Sequence, residues 1–291
     1  MKAFRGAHLL LAMATVTAIA IGAQEPTAHP DRAAPSSQPV TFDCQAIAGA
    51  EADARLLLLV KLCDFVIGYQ NQLPNFVVQQ TTTFESGPSK TVMTAEVTFQ
   101  KGLESYSRVT VNGRPAPVSK ITTKPPDEVQ FSSTGEFGPA LMDLFKVPGA
   151  TQFKFKTTST LQNQPVVIYE FHVPQKKNFF WTLRLADGRT IRPEFVGALW
   201  LEQQTGKPLR EEMEPTSLVV GAEIVSAKTV IDYAMTEVGD AGNFLLPVKS
   251  ESTVCHTGVQ ETGTCTKNVL VFHGYRKFGS TTRILPLTSQ Q

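Results

Sequence analysis

The stretch "GALWLEQQTGKPLREEMEP", residues 197–215, decides how this chain is read. It holds Trp200, a TGK, and four acidic residues within the thirteen positions from Glu202 to Glu214. A phosphate-binding loop needs G-x-x-x-x-G-K-[ST], whose glycine amides wrap the phosphates while a hydroxyl reaches the metal. Here the first glycine is missing, Pro208 follows the lysine, and a strand rather than a helix comes next. Glu211 and Glu212 are adjacent, so on a strand they point to opposite faces. Glu212 then shares a face with Glu214 and Arg210. Carboxylates about 5–10 Å apart hydrolyse glycosides, which makes Glu202, Glu212 and Glu214 the carboxylate candidates. The simpler reading, favoured here, is a solvated face laced by cross-strand ion pairs. The stretch is a β-hairpin turning at "QQTGK".

The same period of two runs through most of the chain. "FVVQQTTTF", "TVMTAEVTF" and "ESYSRVTV" are β-branched runs separated by turn residues, with Asn112-Gly113 the strongest turn signal. "QFKFKTT" sets Phe153 and Phe155 on one face and Lys154 and Lys156 on the other. "PVVIYEFHV" and "FFWTLRLADGRT" follow, the latter turning at Asp187-Gly188. After the opening hairpin come "EIVSAKTVIDYAMTEV", "NFLLPVKSESTV" and "KNVLVFHGYRKF". Roughly ten strands with short connections predict an antiparallel meander, because parallel pairing needs long crossovers.

Two helices interrupt the strands. Ala48–Gln70 has apolar positions Leu56, Leu59, Val60, Cys63, Val66 and Ile67 at helical spacing, and Pro74 ends it. A second, inserted helix is expected within residues 132–149. There Ser133 and Glu136 have capping-box spacing ahead of Leu141, Leu144 and Phe145.

The N-terminal residues carry an address rather than a core. Lys2 and Arg5 precede a thirteen-residue apolar run, Leu9–Ile21, and small residues follow, so residues 1–23 read as an export signal. The run is shorter than the roughly 20 residues that span a bilayer, so no transmembrane segment is expected in the mature chain. Residues 24–42, rich in Pro, Ala and Ser, read as a tether. Residues 43–285 remain as a single domain, with 286–291 as a tail. Without Lys2 and Arg5 the chain has 25 basic and 26 acidic residues, a net charge of −1. That balance excludes the basic footprint of a nucleic-acid binder. Cys44, Cys63, Cys255 and Cys265 are an even set in an exported chain, which predicts disulfides 44–63 and 255–265. Zinc is the rival reading, but there is no C-x-x-C.

No G-x-S-x-G, S-x-x-K or H-E-x-x-H occurs. Beyond the signal the histidines are His29, His172, His256 and His273; only His172 and His273 lie in strands, and two ligands make a weak metal site. No catalytic residue, metal or cofactor is expected, and the chain is read as a non-enzyme. A hydrolase using Glu202, Glu212 or His172 is the least favoured alternative. The aromatic pattern is richer. Phe153, Phe155, Val167, Tyr169, Phe171, Trp181, Leu183, Leu185, Leu199 and Leu201 give one sheet an extended apolar face. That face is either a core under the helices or a concavity open to an apolar ligand.

An amphipathic helix followed by "LPNFVVQQTTTF" and a meander resembles the periplasmic lipoprotein-carrier superfamily. The hairpin 197–215 and the later "NFLLPVKSES" resemble segments of such proteins and of related exported bacterial proteins. Gly197, Trp200, Glu202, Gly206, Leu246 and Pro247 are the positions that match. The resemblance covers residues 48–277 and implies a strongly curved antiparallel sheet forming an open half-barrel, mainly β, with the N-terminal helix and the inserted one packed in its mouth. It also implies a periplasmic or extracellular protein that holds a lipid or lipoprotein acyl chain against the apolar face. The ligand-lining residues would be Phe153, Phe155, Tyr169, Phe171, Trp181, Leu183, Leu199 and Leu201. An envelope module that binds a protein partner is the alternative.

Overall fold

The computed structural model describes residues 44–47, 54–118, 136–146, 149–179, 181–184, 190–216, 224–256 and 264–278. The export signal, the tether, Ser133, Leu185 and the C-terminal tail lie outside them. After a 3-10 turn at Ala54–Leu56, helix α1 spans Leu57–Gln72 and ends at Leu73, one residue before Pro74. Its buried stripe is Leu59, Leu62, Cys63, Val66 and Tyr69. Ile67, expected on that stripe, is 38% exposed, because Leu62 and Tyr69 set the buried face one position round the helix.

Four strands follow: β1 (Phe76–Ser86), β2 (Ser89–Gln100), β3 (Leu103–Val111) and the short β4 (Arg114–Pro115). Helix α2 is Pro139–Asp143. The capping-box expectation for this helix is corrected. It starts at Pro139 with Gly138 as N-cap at φ 123°, so Glu136 precedes the helix and is itself buried. Proline at the first helical position costs no hydrogen bond, and only glycine takes that φ without strain.

The second run holds β5 (Gln152–Leu161), β6 (Gln164–Val173), β7 (Leu183–Arg184) and β8 (Thr190–Ile191). It continues through β9 (Phe195–Glu202), β10 (Pro208–Pro215), β11 (Ile224–Glu237), β12 (Asn243–His256) and β13 (Thr264–Lys277). Eleven strands form one antiparallel sheet in the order β4-β3-β2-β1-β13-β12-β11-β10-β9-β6-β5. The two ends, β4 and β5, do not pair, so the sheet is an open half-barrel. β7 and β8 are a separate two-stranded ribbon. The described part of "FFWTLRLADGRT", expected within the main sheet, is instead a connection carrying this ribbon, and the expected turn Asp187-Gly188 lies outside the described residues. Asn178 holds the connection, donating from Nδ2 to the carbonyls of Trp181 (2.7 Å) and Pro193 (2.8 Å).

The chain makes two meanders, β1–β4 and β5–β13, joined where β1 pairs with β13 from Phe76↔Lys277 to Ser86↔Thr266. Both expected disulfides are present. Cys44–Cys63 ties the N-terminal turn to α1, and Cys255–Cys265 links directly opposed residues of β12 and β13. Among the described residues no helix is long and apolar enough to cross a membrane.

Candidate functional site

The site follows from registration across the inner face of the sheet. Alternation puts every second side chain of each strand on that face, and pairing aligns them into rows. One row runs Phe155↔Tyr169↔Leu199↔Glu211 across β5, β6, β9 and β10. Its neighbour runs Phe153↔Phe171↔Gly197↔Met213. The strict alternation of "QFKFKTT" thus delivers both phenylalanines inward.

All eight residues expected to line an apolar face meet in one cluster. Tyr169, Phe171, Trp181, Leu183, Leu199 and Leu201 are buried in it, and Phe153 and Phe155 pack against it partly exposed. Trp181 and Leu183 come from the connection rather than from the sheet, and Trp181 packs on Phe195 with ring centroids 5.4 Å apart. Gly197 makes this floor possible. A Cβ there would lie 2.0 Å from the Glu212 carbonyl oxygen and 2.3 Å from Phe171 Cζ, so only glycine lets the Phe171 ring lie across β9.

Leu59, Leu62, Cys63, Val66 and Tyr69 of α1, with Ala140, Leu141 and Leu144 of the inserted segment, cover this floor. Phe145 stacks on Phe153 at 5.4 Å. Polar ties fasten the cover as well: Thr151 Oγ1 donates to the Leu144 carbonyl at 2.6 Å, and Phe179 N–H donates to Asp143 Oδ2 at 3.3 Å. Tyr69 Oη donates to the Leu245 carbonyl at 2.6 Å, and Tyr169 Oη donates to the Arg55 carbonyl.

Glu211 escaped the reading of the sequence as a site residue. It is fully buried on the inner face, and burial, reinforced by Asp143, pushes its carboxyl up to about 8 despite a hydrogen bond from Tyr233 Oη at 3.3 Å. It is therefore a neutral acid at pH 7. Met213 could have revealed it: that apolar side chain shares its strand face, so burying 213 buries 211. At the far side Glu104 is raised to about 7 by burial and by the charge of Glu136.

Of the candidate carboxylates on the outer face, Glu202 and Glu212 are engaged, while Glu214 is exposed. Glu212 pairs with Lys228 at 2.6 Å, and Arg210 forks onto Asp232 at 2.6 and 3.2 Å. Glu202 accepts from Thr205 Oγ1 inside the turn, where Gly206 has φ 76°. His172 Nε2 faces Glu194 at 2.9 Å. His273 lies five strand positions from His172 in the sheet order, about 24 Å at the usual spacing, so the two share no metal. Among the described residues no three His, Cys, Asp or Glu side chains are grouped to hold a metal ion. An open groove of about 810 Å³ includes Lys154, Lys156, Glu170, His172 and Trp200 in its lining. Most of its lining belongs to the outer face, and Phe153, Phe171, Gly197 and Met213 border it as well.

No protein-family model matches the chain, and no curated protein matches it. Among solved structures it is similar to an outer-membrane lipoprotein-sorting protein domain from Vibrio parahaemolyticus, at 13% identity and TM-score 0.37 over 79% of this chain and 93% of that one. It is also similar to a LolA superfamily protein from Nitrosomonas europaea, at 10% identity and TM-score 0.36 over 76% and 93%. A DUF1329 family protein from Desulfovibrio piger matches at 8% identity and TM-score 0.39 over 76% and 93%.

Proposed function

We propose that this is an exported, non-enzymatic protein that binds an apolar ligand, a lipid or lipoprotein acyl chain, on the inner face of its half-barrel. The observation that carries the reading is an apolar floor built on rigid paired strands and roofed mainly by apolar side chains of α1 and the inserted segment. Such a roof is exchangeable. A chain of roughly fifteen methylenes gains about 12 kcal/mol on burial at about 0.8 kcal/mol each. Uncovering Leu59, Leu62, Val66 and Tyr69 costs about 6–12 kcal/mol at 1.5–3 kcal/mol per side chain. Ligand and helix therefore compete on nearly equal terms, the condition for a carrier that must both load and release. Two disulfides support an oxidising, exported setting.

Native mass spectrometry of the protein purified from its own envelope tests this reading. Co-purifying lipid is the expected result, and repeated absence of lipid overturns it.

The second reading, a module for a protein partner, has one specific observation behind it. Among the described residues β5 is a ten-residue edge strand paired only with β6, the kind of edge that accepts another strand. Crosslinks that recover one protein partner from β5, without lipid, favour it.

A further inference from the structure

The inner face changes character halfway across the sheet. Along the first row, Tyr169 and Leu199 give way to Glu211 on β10, and the register continues through Ile231 to Ser250 on β12. It then passes through Leu270 to Thr82 on β1. Along the second row, Phe171 and Met213 give way to Thr229, Ser252 and Asn268 on β11, β12 and β13. None of these six polar residues is more than 8% exposed, so the polar zone is as buried as the apolar one.

A plain core does not need this zone. Valine or isoleucine at the same positions would fill a sheet face without the desolvation cost that each buried hydroxyl or amide carries. Part of that cost is offset within the zone, where Thr229 Oγ1 and Ser252 Oγ lie 3.1 Å apart. Part is not. Among the described residues Ser250 Oγ is fully buried with no hydrogen-bond partner, and so is Glu211 Oε1. Buried polar atoms are nearly always paired, so an unpaired one is a position that a water or a ligand group can satisfy.

The charges define what could pair there. The two rows carry no Lys or Arg, and the nearest ionisable group on them, Glu211, is held neutral at pH 7 by its burial. An anionic headgroup would enter uncompensated, at a cost of several kcal/mol. A neutral one with hydroxyls or amides would meet donors and acceptors of its own kind.

Building on the apolar-ligand reading above, we propose that Thr229, Ser250 and Ser252, with Glu211 at their border, form a subsite for the uncharged, hydroxyl- or amide-bearing headgroup of an amphiphile. Its chain lies along Phe171, Tyr169 and Leu199. The protein is then selective for neutral amphiphiles over fatty acids and phospholipids.

Calorimetric titration of the full exported chain with 1-monolauroylglycerol, methyl laurate and laurate tests this. Monolauroylglycerol is expected to bind at least tenfold more tightly than either of the others. In a T229V/S250A/S252A variant, whose fold is checked by its thermal transition, the ratio of monolauroylglycerol to methyl laurate affinity is expected to fall to about one. A ratio near one in the unaltered protein, a ratio unchanged in the variant, or tightest binding of laurate overturns the subsite while leaving the apolar-ligand reading intact. Failure of all three probes to bind overturns both.

Discussion

Glu211 shows how one buried proton couples the fold to pH. In the unfolded chain its carboxyl titrates near 4.5, and in the folded protein near 8. Below about 4.5 both states are protonated and pH has no leverage. Between about 4.5 and 8 only the folded state holds the proton, so stability falls as pH rises and levels off above 8. The full span corresponds to roughly 5 kcal/mol, an upper figure for a relaxed protein. Glu211→Gln keeps the shape and the Tyr233 hydrogen bond, so it should flatten this slope and stabilise the protein at pH 8 relative to the unaltered chain. Urea titrations at pH 5 and pH 8 read the difference, and an unchanged slope would refute the assignment. Some slope will remain from Glu104, whose carboxyl is raised to about 7. At Gly197 the effect is steric. An alanine methyl 2.0 Å from a backbone oxygen forces β9 and β10 apart, so Gly197→Ala should cost about 3 kcal/mol or more by urea unfolding. Both residues lie in the hairpin whose alternation was legible from residues alone. Its opposite facing of Glu211 and Glu212 holds, since one is buried and the other pairs with Lys228. Which of the two faces inward was also marked locally, since apolar Met213 shares the face of Glu211 and is buried with it.

At the scale of elements, α1 is the piece to perturb. Its one buried polar tie to the sheet among those described is Tyr69 Oη to the Leu245 carbonyl, and a single neutral hydrogen bond contributes about 1 kcal/mol. Tyr69→Phe should lower stability by about that amount, accelerate amide exchange along α1 and speed ligand uptake. Equal exchange rates in the two proteins would mean the tie does not hold the helix. Cys44–Cys63 acts on the other side of α1 by closing a chain segment of 19 residues, a constraint worth about 3 kcal/mol. Replacing both cysteines by alanine should lower the thermal midpoint more than removing Cys255–Cys265, which spans 10 residues inside an already paired hairpin. Elements with their own period were readable: α1 and the long strands lie where apolar spacing predicted them. "FFWTLRLADGRT" misled because Trp181 and Leu183 are buried outside the main sheet, where Asn178 donates to the carbonyls of Trp181 and Pro193. Period two records burial of alternate side chains, and a connection lying flat on a core produces it as well as a strand does.

At the scale of the molecule, the half-barrel exists because β1 returns to β13 across almost the whole chain. Nothing local specifies that pairing, and the chain reads instead as one continuous meander. The same closure curls the apolar floor beneath α1, so the proposed function depends on whether α1 can leave. The hairpin turn offers a lock. A Cβ at Gly206 would lie 3.5 Å from Lys61 Cβ on α1, within the 3.5–4.5 Å that disulfides bridge. Cysteine at 206 must adopt φ 76°, a strain of about 1–2 kcal/mol that the cross-link's own stabilisation offsets. The K61C/G206C protein, with the new bond verified by peptide mapping, fastens the N-terminal half of α1 to the β9–β10 turn. A K61S/G206S protein carries the same backbone strain with no bond. If ligand enters by displacing α1, the locked protein should contain less than a tenth of the lipid found in the serine protein when both are purified from the same envelope. Equal lipid in the two would mean that the chain enters by another route or lies elsewhere, and the roof-exchange mechanism would fall with that result.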